Sequence, residues 1–165
     1  GYPPSLFAEA YAIAAASGLG CTLLAGEHAG AESVRAALDL PISRISHGVR
    51  AIEDPALVAE IAERGIVLEI CPTSNIATGV FSTYEEHPLR ALHEAGVKLT
   101  LGSDDPPYFG CTIGGEYALA RERFGFEEGE LMTITRTAVQ GCFADDAVKR
   151  ALLNRITASG DRRSQ

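Results

Sequence analysis

The sequence predicts an α/β fold, with parallel strands alternating with helices to build half of a (β/α)8 barrel. Three observations lead there. Four short apolar segments (21–25, 44–46, 66–70 and 97–101) recur at intervals of about 22 to 31 residues, the length of a βα unit. Helical patterns fill the intervals. Each apolar segment also runs into polar or ionisable residues just past its C-terminal end: Glu27 and His28, His47, Thr73 with Ser74 and Asn75, and Asp104 with Asp105. In barrel enzymes that end of the strands is the catalytic face. An open doubly wound sheet is the competing architecture. It calls for a glycine-rich phosphate loop, and neither GxGxxG nor GxxxxGK[ST] occurs.

Taken in order, the first helix is expected over 5–17, ending before Gly18. The strand "CTLLA" follows and breaks into the turn "GEHAG". A second helix at 31–39 leads to "RIS", then His47 and Gly48. The third helix, 54–64, has the clearest start, with Asp54 as N-cap and Pro55 at the first helical position. Gly65 suits its C-cap. "IVLEI" ends in "CPTSN", read as a turn, and a helix at 86–95 precedes Gly96 and "VKLTL". None of the four strands alternates cleanly, which implies burial on both faces. Helices are expected again at 114–123, 127–140 and 144–156. The partial barrel is therefore assigned to 1–156 and a polar tail to 157–165.

Composition excludes several classes of function. The chain has 165 residues, 46% apolar and 22% charged, with a net charge of −8 and no basic cluster. Nucleic acid and anionic membrane surfaces are unsuitable partners. No apolar run reaches the ~18 residues of a membrane span, and no signal peptide is visible. The four cysteines, Cys21, Cys71, Cys111 and Cys142, form no CxxC pair, which fits free thiols in a reduced, cytoplasmic compartment. The chain opens on "GYPPSLF" without Met, so a fragment is expected.

Each polar cluster has a chemical and a structural reading. Asp104 and Asp105 repel each other unless a cation or a donor separates their roles; one could ligate a metal while its neighbour faces substrate. Asp-Asp-Pro-Pro is also good turn chemistry with nothing bound. His47 is level with the other strand-end groups, whereas His87 and His93 lie away from any strand end and are assigned to structure. The hydroxyls and amide of "PTSN" suit either substrate contact or capping of their own turn. Cys71 has no histidine nearby in sequence to activate it as a nucleophile.

Taken together, "AGE", "SHG", "CPTSN" and "SDDP", in this order and on successive strand ends, resemble the adenosine deaminase family of the amidohydrolase superfamily. The resemblance runs from "GYPPSLF" to about Ile156. It implies the C-terminal half of a (β/α)8 barrel, strands five to eight, and a zinc-dependent hydrolysis that turns adenosine into inosine and ammonia. It further implies Glu27 as the acid that protonates purine N1, and His47 as the group that orients the attacking water. Asp104 is implied as a zinc ligand and Asp105 as the partner of N7.

Two departures accompany this resemblance. The family's His-Ala-Gly-Glu, whose histidine binds zinc, reads Leu24-Ala25-Gly26-Glu27 here, and the His-x-His pair of the first barrel strand is missing. Ser46 also stands where glycine is common. The substrate expected is a purine nucleoside. The alternatives are an adenine or modified-adenine-nucleoside deaminase, and a metal-free purine-binding pseudoenzyme. The open edges of a half-barrel further predict self-association.

Overall fold

A computed structural model describes the backbone of residues 2–163 and the side chains of residues 2–158. Among these residues four strands form one parallel sheet in the order β1-β2-β3-β4. They are β1 (Thr22–Ala25), β2 (Arg44–His47), β3 (Val67–Ile70) and β4 (Lys98–Leu101). Every strand lies beside its sequence neighbour. This is the order of a barrel wall; a doubly wound sheet reverses direction at its switch point.

The connections are helical. A 3-10 turn (Pro4–Phe7) and α1 (Ala8–Ala16) precede β1, and α2 (Ala31–Ala37) joins β1 to β2. A second 3-10 turn (Val49–Glu53) and α3 (Pro55–Arg64) lead to β3, and α4 (Pro72–Ala77) and α5 (Leu89–Glu94) lead to β4. Then come α6 (Pro106–Phe109), α7 (Ile113–Phe124), α8 (Glu128–Gly141) and α9 (Asp146–Arg163). The start of α3 is as the sequence implies: Asp54 Oδ1 accepts from the amides of Ala56 and Leu57 at 3.0 and 3.2 Å. Gly65 closes the helix with φ 66°.

"CPTSN" departs from expectation. It is not a free turn but the start of α4, with Pro72 at the first helical position. Pro fits there because its missing N–H would have had no partner in the first turn. Likewise α9 continues through Arg163, across most of the stretch read as a tail; residues 164–165 lie outside the described ones.

Burial on both faces holds only in part. Ile45, Leu68, Ile70, Leu99 and Leu101 are buried beneath the helices. Fully burying each such side chain is worth about 1.5–3 kcal/mol. On the opposite face Val67 and Thr100 are also buried, whereas Thr22, Leu24, Arg44, Ser46 and Glu69 are partly or largely exposed. There Glu69 gathers its neighbours: Ser46 Oγ donates to Oε2 at 3.1 Å, and Arg44 Nη1 lies 3.3 Å from Oε1. Arg44 also stacks over the Phe143 ring at 4.0 Å.

Candidate functional site

The four strand ends meet at one rim, and two glycines let them do so. Gly26 and Gly48 both have left-handed φ, 65° and 69°. Their loops lie close enough that Gly48 N–H donates to Ala25 O at 2.8 Å and Arg50 N–H to Gly26 O at 3.0 Å. A Cβ on Gly26 would run into the Val34 side chain and approach the Gly48 backbone at 3.2 Å. Only residues without a side chain permit this contact, and it brings Glu27 beside His47.

His47 and Asp104 themselves are the two non-glycine residues with positive φ, 64° and 53°, among the described residues. That conformation costs about 1–3 kcal/mol per residue and persists only where the surroundings hold it. It turns the His47 side chain out of its strand's alternation and into the rim.

His47 Nε2 lies 3.6 Å from Glu27 Oε2 and 3.7 Å from Asp104 Oδ2. The imidazole is buried, and the Glu27 and Asp104 side chains are 11% and 30% exposed. Ser74 Oγ donates to Asp104 Oδ2 at 2.7 Å, a short bond to a carboxylate. Asn75, fully buried, lies between two imidazoles: its Nδ2 is 3.1 Å from His47 Nδ1, and its Oδ1 is 3.0 Å from His87 Nε2. Asp105 is exposed at the N-cap position of α6 and caps nothing. Three of the four residues marked in the sequence (Glu27, His47, Asp104) thus converge, while Asp105 sits at the margin.

His87 was assigned to structure and proves to reach the site through Asn75. Nothing in the sequence near His87 signals this, because the two residues are brought together by the turns and bends between α4 and α5. Glu116 was also passed over. It is buried on α7 and accepts from the Thr73 amide at 3.2 Å, pinning the first turn of α4 and hence Ser74 and Asn75. His28 is largely exposed, 3.5 Å from Glu27 Oε1. His93 instead pairs with Glu130 at 3.2 Å.

One group of metal-capable side chains comes together among the described residues: His47, Cys71 and Asp104, with atoms within 4.8 Å of one another. Imidazole, thiolate and carboxylate are all donor types that zinc takes, and the thiol would have to lose its proton to serve. Burial, reinforced by Asp104, pushes the Cys71 thiol up to about 12. Leu24 offers no donor, is 60% exposed and lies opposite Ser46. Asp104, with its carboxylate 30% exposed at the rim, could hold a metal there.

The family model for adenosine deaminase matches residues 1–159. The chain belongs to the adenosine deaminase family. It is 52% identical over 151 residues to an adenine deaminase of Rhizobium leguminosarum bv. trifolii, covering 91% of this chain and 47% of that protein. Its structure superposes on the crystal structure of adenine deaminase from Arthrobacter aurescens with a TM-score of 0.91 and 32% identity, covering 98% of this chain and 50% of the other. A zinc-bound amidohydrolase from Burkholderia ambifaria gives a TM-score of 0.87 and 31% identity over 97% of this chain and 45% of its own. The chain therefore spans about half the length of these relatives, and its four strands are half of their barrel. Among the described residues no helix is long and apolar enough to cross a membrane.

Proposed function

We propose that this chain carries the proton-handling side of a hydrolytic aminopurine deaminase site, and that its base is adenine in preference to adenosine. The observation behind this reading is that Glu27 and Asp104 each reach within 3.7 Å of His47 Nε2 in a chain 52% identical to an adenine deaminase. The reaction adds water at C6 of the ring and releases ammonia. Glu27, mostly enclosed, serves as the acid toward N1; protonation there makes C6 electrophilic. His47 orients the attacking oxygen, and Asp105 at the open margin meets N7. Zinc is the metal the family implies, and Asp104, held by Ser74, is the ligand this chain would contribute. A cytoplasmic enzyme with free thiols fits the four unpaired cysteines.

Ammonia release measured on the protein in which this chain occurs, with adenine and adenosine in parallel, tests the proposal. Turnover of adenine with a higher kcat/KM is expected. A higher kcat/KM for adenosine removes the base preference, and turnover of neither removes the deaminase reading. Leu24 favours a second reading, a metal-free purine-binding relative. Purine binding with neither zinc nor turnover would select it.

A further inference from the structure

The buried polar groups behind His47 form a line whose proton directions can be worked out from one end. That end is the backbone amide of Leu89, which can only donate; it gives its proton to His87 Nδ1 at 3.1 Å. This amide opens α5, where no helical carbonyl is available to it. His87 Nδ1 is therefore an acceptor. The His87 ring is enclosed by the edges of Phe81 and Phe124, with centroids at 5.1 and 5.5 Å. Burial there pushes its pKa down to about 4, so the ring is neutral at pH 7. A neutral imidazole that accepts at Nδ1 carries its proton on Nε2.

His87 Nε2–H then donates to Asn75 Oδ1 at 3.0 Å. This settles the orientation of the Asn75 amide, since the reverse would set N–H against N–H. Asn75 Nδ2 points the other way and donates to His47 Nδ1 at 3.1 Å. His47 Nδ1 is an acceptor in turn, which leaves its proton on Nε2, the atom that faces Glu27 and Asp104 at 3.6 and 3.7 Å.

We propose that His87 and Asn75 are positioning residues that lock His47 in its Nε2-protonated tautomer, making it a hydrogen-bond donor to an oxygen between the two carboxylates and removing it from the set of metal ligands. A ligating imidazole needs a lone pair on the atom that faces the metal, and here that atom carries the proton. His47 could present a lone pair at Nε2 only by protonating Nδ1, against the Asn75 N–H. The use of the donor, toward the oxygen that attacks C6, rests on the deaminase reading. The tautomer itself does not.

Histidine-selective 15N labelling of the 165-residue chain, read by long-range 1H–15N correlation at neutral pH, tests the relay. His47 is expected to be protonated at Nε2 and bare at Nδ1; a proton on Nδ1, with or without one on Nε2, overturns the proposal. Asn75→Asp replaces the donor by an acceptor that His87 Nε2–H can still reach, so His47 Nδ1 should gain a proton. His87→Leu frees the amide, so both His47 tautomers should be populated. Unchanged His47 signals in the folded variants overturn the relay. Should either variant fail to fold, the unsubstituted chain and the other variant decide. In the deaminating protein, Asn75→Asp should lower kcat by about 10–100-fold with little change in KM. The spectra involve no turnover, so failure of the deaminase reading and failure of the relay are seen separately.

Discussion

At the scale of single residues, Leu24 bears on metal binding because it offers no donor beside the rim. Its strand position points to the open face of the sheet, opposite Ser46, so an imidazole there would reach the rim without disturbing the core. Leu24→His is expected to raise the zinc affinity of the chain, measured as metal retained after gel filtration. Equal retention in both proteins would show that this position is not a ligand site. Ser74→Ala removes the hydrogen bond to Asp104 Oδ2. Bonds to a charged acceptor are worth about 1.5–3 kcal/mol. The loss should fall near the lower end, because the Asp104 side chain is 30% exposed.

His87 supplies the pH dependence at this scale. Its pKa falls from 6.5 to about 4 on burial, so between those values the unfolded chain holds a proton that the folded chain does not. Stability therefore falls as pH drops from 6.5 toward 4, by up to about 3 kcal/mol. His87→Leu should flatten that part of the curve in urea titrations; curves that remain parallel would rule out His87 as the cause.

At the scale of elements, the strongest local signals were caps and the strongest constraints were glycines. Asp54 was legible as an N-cap from Asp-Pro alone, and its carboxyl is held below the usual range, first by the Arg35 guanidinium and then by the Leu57 amide. Asp54→Ala should cost about 1 kcal/mol in thermal or urea unfolding. Gly48 has the larger consequence. Its φ is 69°, and a Cβ there would lie 2.7 Å from Leu68 Cδ2 in the core. Gly48→Ala is expected to destabilise the chain by about 1–3 kcal/mol and to displace His47, which precedes it. "CPTSN" was misjudged because Thr, Ser and Asn favour turns in isolation. Packing supplied what the local sequence lacked: buried Glu116 holds the Thr73 amide, and the side chains of Ser74 and Asn75 find partners on other elements.

For the whole molecule, the sheet is half of a barrel wall, with edges at β1 and β4 and a partly exposed polar face. The unpaired edge of β1 and exposed apolar residues such as Leu24, Leu6 and Tyr2 favour pairing with another chain. Light scattering on the 165-residue chain should give the mass of two copies or more, and a monodisperse monomer would refute this. The two-sided burial expected of the strands holds for much of β3 and β4, where Val67 and Thr100 are buried opposite the core, and fails for β1 and β2. Strands as short as "RIS" or "IVLEI" are too brief for alternation to show which face each residue takes. Only the register reveals that Thr22, Arg44, Ser46 and Glu69 share one face and bond to one another.

By itself the sequence determined the four strands and the longer helices between and after them, because strand–helix alternation and caps are written in neighbouring residues. It also marked four site residues, of which Glu27, His47 and Asp104 meet at the rim. The tertiary structure decided what lies behind them. Leu89, His87, Asn75 and His47 come from separate segments, and the direction of a proton along their hydrogen bonds depends on atoms that only folding brings within 3.1 Å.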